Sequence, residues 1–157
     1  MDKYRLRLEL GELQDRYINT LDNNRLEEWP ELFVEDCLYE IMPKENEDMG
    51  LPIPLVRCDN RGMLRDRVIS LRHANIYEAH TYRHMVSGLE CVQVDAKTAD
   101  MQSNYLVIKT GLNGESDVYQ VGRYIDRVVM TEDGWRYKTK RAIYDTLRVQ
   151  TLLATPI

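Results

Sequence analysis

The chain is poor in the residues that would settle its chemistry at a glance. It has three cysteines, three histidines and one phenylalanine among 157 residues. Cys37, Cys58 and Cys91 are odd in number, widely spaced and form no C-x-x-C pair. That speaks against a disulfide framework and against a paired-thiolate zinc or iron–sulfur site. No apolar run approaches the roughly 20 residues that span a bilayer. The N-terminus, MDKYRLRLELGEL, lacks a continuous apolar signal core. A cytoplasmic protein with no membrane partner is the expectation. A basic excess is missing too: the net charge is −5, which argues against a nucleic-acid partner held by phosphate contacts. There is no G-x-G-x-x-G, no Walker loop, no G-x-S-x-G elbow and no C-x-H with C-x-x-H pair that could hold a Rieske cluster.

What is present is an ordinary globular composition, 43% hydrophobic and 30% charged. It is read as one domain, residues 1–157, long enough to bury about 70% of its unfolded surface. Leu6, Leu10, Leu13, Tyr17 and Leu21 recur at helical spacing behind a capping Asp2, with Gly11 inside the pattern. Asp22-Asn23-Asn24 breaks this helix and starts a short second one over Arg25–Glu28. Pro30 suits the start of another turn over Glu31–Phe33, and Cys37–Met42 reads as a strand. Residues 43–60 show no clean period and read as a long loop, of the kind that is commonly functional or interface-forming.

A helix resumes at Arg61, with Leu64, Val68 and Leu71 on its buried face. Tyr82–Val94, Met101–Leu112, Val118–Met130 and Trp135–Tyr144 are strands rich in Val, Ile, Tyr and Thr. Glycine-bearing turns at Asn113-Gly114 and Glu132-Asp133-Gly134 force antiparallel neighbours. Gly122 interrupts the third of these strands and predicts a bulge or bend. Helices first and a long bent sheet after them give an α+β fold, with the sheet wrapped around an apolar helical face.

The stretch Met63–Val86 holds all three histidines and a dense run of arginines. His80 and His84 with Glu78 invite a two-histidine, one-carboxylate iron site. Strand geometry refuses it, because residues four apart on a strand are roughly 13 Å apart. His84 alone, facing the concavity, would pair with Asp36 or Tyr39 as a general acid/base of a dehydratase or isomerase. Arg57, Arg61, Arg65, Arg67 and Arg72 are conspicuous in an acidic protein and are read as a docking surface. Arg136, Lys138 and Lys140 alternate along a strand and are read as a solvated sheet face.

LDNNRLEEWPELFVEDCLYEI, GMLRDRVISLRHANIYEAHTYRHMVSG, GRYIDRVV and GWRYKTKRAIYD together resemble the small (beta) subunits of aromatic-ring-hydroxylating dioxygenases. The resemblance runs in order over nearly the whole length. Within the family it is to subunits serving aromatic acids such as terephthalate or salicylate. It implies a cystatin-like cone of the nuclear transport factor 2 type. It also implies a partner, a large alpha subunit carrying a Rieske [2Fe–2S] cluster and a mononuclear non-haem Fe(II). Electrons would come from NADH through a reductase. Three small subunits would form a trimer inside a three-plus-three hetero-hexamer, and this chain would hold no cofactor, no metal and no catalytic residue. Arg57, Arg61, Arg65, Arg72 and His80 then become candidate subunit contacts. The apolar tail ending in Thr155, Pro156 and Ile157 joins them, as an exposed segment that gains from burial.

Overall fold

The structure, a computed structural model, describes residues 2–74, 77–146 and 155–157. Helix α1, Lys3–Asp22, begins where Asp2 accepts a hydrogen bond from Arg5 N–H at 3.3 Å. Leu6, Leu10, Leu13, Tyr17 and Leu21 are buried on one face, while Leu8 is exposed on the other. At roughly 1.5–3 kcal/mol for each large apolar side chain, that face contributes on the order of 10 kcal/mol before conformational entropy is set against it. Gly11 lies beside Leu89, where a Cβ would be in ordinary contact.

Residues 25–28 form turns rather than the expected short helix, after Asn24 takes a positive φ of 56°. Trp29–Leu32 is a 3-10 turn leading into β1, Phe33–Pro43. The predicted long loop contains two short elements, α2 (Lys44–Asp48) and β2 (Val56–Cys58). Helix α3, Arg61–His73, starts at Asn60, whose side chain accepts from Met63 N–H at 2.9 Å. Strands β3 (His80–Gln93), β4 (Thr98–Gly111), β5 (Ser116–Thr131) and β6 (Gly134–Tyr144) follow.

The six strands form one sheet in the order β2-β1-β6-β5-β4-β3. The last four pair antiparallel as their turns require, with Gly114 and Gly134 at positive φ. β1 joins them parallel to β6. The buried face of α1, the aromatic side chains of β1 and β6 and the inward residues of β3–β5 share one core. This is the curved sheet around helices expected of the cone.

Extra residues at four places shift the register and decide which side chains face in. Arg127 pairs with Thr139 and Val128 with Tyr137, so Lys138 is the additional residue on β6. Before it Trp135 and Tyr137 point inward; after it Lys140, Ala142 and Tyr144 do. The predicted solvated cation face is thereby overturned at Lys140, which is completely buried. Gly122 is not itself a bulge. A Cβ there would stand 2.1 Å from the Ile143 carbonyl oxygen, so glycine permits close approach of β5 to β6.

Candidate functional site

His84 does face the interior, but its partner is neither Asp36 nor Tyr39. Asp22, the last residue of α1, takes His84 Nδ1 at 2.6 Å and accepts His84 N–H at 2.8 Å. The histidine side chain is fully buried and Asp22 nearly so. Asp36 is exposed and pairs with Lys138, because its side chain points away from the core. Tyr39 is buried and bonded to Ile157 instead. The pairing leaves His84 Nε2 buried and without a partner among the described residues. A carboxylate-oriented imidazole is a competent acid/base in principle. Here the groove lined by Glu90, Gln102 and Arg127 does not include it, and Tyr82 packs edge-on at 6.3 Å. What the pair does visibly is tie the end of α1 to β3.

Deeper in the core lies a charged pair that sequence reading missed. Lys140 Nζ donates to Asp126 Oδ2 at 2.9 Å, with both side chains at most 1% exposed. The ammonium sits 3.6 Å from the ring centre of Tyr124, 4.3 Å from Tyr17 and 4.7 Å from Tyr137. Three aromatic faces replace part of the lost hydration. Burial pushes the Asp126 carboxyl up and the Lys140 ammonium down, each partly offset by the other's charge. Asp126 Oδ1 and the Tyr124 and Tyr137 hydroxyls have no partner among the described residues.

The tail is not the exposed segment expected. Pro156 and Ile157 are buried in the chain's own interior and Thr155 is half-buried. Leu152–Ala154 lie outside the described residues.

The arginines are engaged with carboxylates of this same chain. Arg61 meets Glu35 at 2.5 Å and Arg65 meets Glu31 at 2.9 Å. Arg72 meets Glu27 at 2.7 Å and also binds Asn24. Together they lash α3 to the start of β1 and to the segment ahead of it. Their partners respond: Arg72 holds Glu27, and Arg65 holds Glu31, below the usual carboxylate range. Arg57 and Arg141 both grip Glu40, at 2.6 and 2.9 Å, and Arg141 also meets Glu47 at 2.6 Å. His80 Nδ1 lies 2.7 Å from the Glu78 carbonyl, and its ring packs on Tyr82 at 4.6 Å. On the outward face of the sheet a groove of about 770 Å³ is lined by Glu90, Val92, Gln102, Ile125, Arg127 and Arg141, among others.

No three His, Cys, Asp or Glu side chains come together to hold a metal ion among the described residues. Cys37 and Cys58 are buried and Cys91 partly so; burial lifts the Cys37 thiol to about 11. These residues do not fit a Rieske cluster or a mononuclear iron. No described helix is long and apolar enough to cross a membrane.

Comparison with known proteins gives a consistent picture. The SnoaL-like domain family matches residues 2–141. The chain is 66% identical to the anthranilate 1,2-dioxygenase small subunit of Burkholderia cepacia, over 95% of this chain and 92% of that one. It is 34% identical to a terephthalate 1,2-dioxygenase terminal oxygenase beta subunit of a Comamonas species, over 96% and 97%. Among solved structures, a beta subunit assigned to the aromatic-ring-hydroxylating dioxygenases of Novosphingobium aromaticivorans superposes with a TM-score of 0.90. It is 40% identical and covers 98% of both chains.

Proposed function

The chain belongs to the small subunits of aromatic-ring-hydroxylating dioxygenases, built on the SnoaL-like domain, and from that premise we propose that it is the structural, non-catalytic component of such an oxygenase. The observation that carries the reading is the 66% identity to the anthranilate dioxygenase small subunit over almost the full length of both chains. The substrate of the assembly is accordingly an aromatic acid of the aminobenzoate type. The reaction takes place in the cytoplasm, on a large subunit that carries the Rieske cluster and the mononuclear iron and receives NADH-derived electrons.

What supports placing the chemistry in that partner is the way the interior is filled. The His84–Asp22 pair is closed over by Tyr82, and the core beyond it is filled by the Lys140–Asp126 pair and by Ile157. Three copies form a trimer beneath three large subunits. The contact surface we assign is the α3 arginine face with Arg57 and His80, and the loop ahead of α3, where Met49, Leu51, Ile53 and Leu55 are exposed. Arginines already paired to glutamates present flat, pre-organised guanidinium planes to a neighbour. Buried Pro156 and Ile157 are not part of that surface.

Co-expression of the affinity-tagged chain with its large subunit tests the reading. The two are expected to elute together with a native mass of three plus three. A chain that elutes alone and turns over an aromatic substrate by itself would overturn it.

A further inference from the structure

The groove of about 770 Å³ on the outward face runs across β3–β6, where Gln102 faces Ile125 and Asp100 faces Arg127. Beside it the sheet bends: Gly88 takes a φ of 66°, and the pairing of β3 with β4 shifts between Ser87 and Glu90. The polar groups of the groove are bound to one another. Gln102 Nε2 donates to Glu90 Oε2 at 2.8 Å, and Arg127 binds both oxygens of Asp100, at 2.7 and 2.9 Å. The apolar groups are left open, with Val92 66% exposed and Ile125 half-buried. Cations are in excess around this floor. Lys3, Arg7, Arg127 and Arg141 stand against Glu90 and Asp100, since Asp126, which also lines the groove, is matched by Lys140.

The loop ahead of α3 has the complementary character. Met49, Leu51, Ile53 and Leu55 are all exposed, Ile53 at 59%. Pro52 and Pro54 stiffen the segment. Hydrogen bonds fix it further: Leu51 N–H donates to the Asn46 carbonyl at 2.8 Å, Asn46 Nδ2 to the Ile53 carbonyl at 2.7 Å, and Leu55 N–H to the Ile41 carbonyl at 2.8 Å. Apolar side chains held rigidly in water are the material of an interface anchor. The residues just before them carry Glu45, Glu47 and Asp48 against one Lys44. The bonds from Leu55 to Ile41 and from Glu47 to Arg141 keep the loop against β1 and β6 of its own chain. Its exposure shows that its own groove does not receive it.

We propose that the loop of one copy, led by Leu51 and Ile53, seats in the outward groove of the next copy. Its apolar side chains cover Val92 and Ile125, and the carboxylates ahead of it meet the cations at the edge of the groove, which sets the register of the contact. Both halves are pre-organised, so little ordering opposes the union. Each copy gives one loop and receives one, as a closed ring requires. The proposal rests on the trimer put forward above and names the surface that each loop of that trimer meets.

The test uses the full chain co-expressed with its large subunit, with photoreactive benzoylphenylalanine in place of Ile53. Irradiation of the purified complex, followed by digestion and mass spectrometry, should join position 53 to the segment around Val92 of another small chain. The same replacement at Val92 should give the reciprocal product with residues 49–55. A cross-link from position 53 to the large subunit, or none to another small chain, overturns the proposal. Co-elution of the two subunits, which tests the subunit reading, is untouched by either result. If no large subunit co-elutes, irradiation of the chain alone decides the proposal.

Ile53→Asp and Val92→Asp, both at exposed positions, should each weaken self-association of the full chain about tenfold or more in sedimentation experiments. An equimolar mixture of the two should form pairs and nothing larger, because one sound loop and one sound groove remain. Unchanged association of either variant overturns the proposal.

Discussion

Replacing Lys140 with methionine should destabilise this protein more than any change on its surface. The side chain is fully buried, donates to Asp126 at 2.9 Å and rests on three tyrosine rings. Methionine nearly conserves the volume, so no large cavity opens. What remains is a buried carboxylate whose Oδ1 already lacks a partner among the described residues. Removing one member of a buried pair costs about 3–5 kcal/mol. For a domain of this size each kcal/mol moves the melting temperature by roughly 2–4 °C, so the loss is roughly 6–20 °C.

The pH dependence identifies the cause. Burial already raises the Asp126 carboxyl above its ordinary value, and loss of the ammonium raises it further. A raised carboxyl contributes stability that is fully present below its unfolded value and is lost as pH rises through the folded one. The deficit of Lys140→Met should therefore be largest near pH 7.5 and should shrink towards pH 5. Lys140→Met combined with Asp126→Leu removes both charges and should recover most of the loss. Urea denaturation at the two pH values, at one fixed protein concentration because self-association couples to stability, measures all three variants. A single variant that loses less than about 1 kcal/mol, or loses the same at both pH values, refutes the argument.

Two further predictions concern the frame. Asp22→Asn and His84→Gln should each cost about 1.5–3 kcal/mol, and a double-mutant cycle should find at least about 1 kcal/mol of coupling; additive costs would mean that the two side chains act separately. Gly122→Ala should cost about 3 kcal/mol or more, or abolish soluble expression, because its Cβ would stand 2.1 Å from a backbone oxygen of β6; an unchanged melting curve would show that β5 and β6 can part there without cost.

Periodicity carried α1, α3 and the last four strands, because each has one apolar face that repeats at its own period. Capping by Asp2 and the glycine turns at 114 and 134 were equally legible, being local chemistry. The site was less so, and Lys140 shows why. Read as a strict alternation, Arg136, Lys138 and Lys140 share one face; one extra residue at Lys138 reverses that for everything after it. Bulges leave no mark in residue type, so the buried ion pair was invisible. Asp22 was read only as a helix breaker, since its union with His84 spans 62 residues and depends on where α1 ends relative to β3. The tail was apolar, as expected of something buried, yet sequence could not say that its own core was the place. The α3 arginines were read as a docking surface, and within the chain they pair with its own glutamates.

The central claim is that ring hydroxylation is not carried out by residues of this chain. The most direct test is the substrate-dependent rate per iron of the assembled oxygenase carrying His84→Gln, the buried histidine that the sequence offers as an acid/base, with anthranilate as substrate. A rate within about twofold of the parent is expected in complexes of equal iron content, since general acid/base catalysis would be worth about 10²-fold or more. A loss of that size in an intact, fully iron-loaded complex would contradict it.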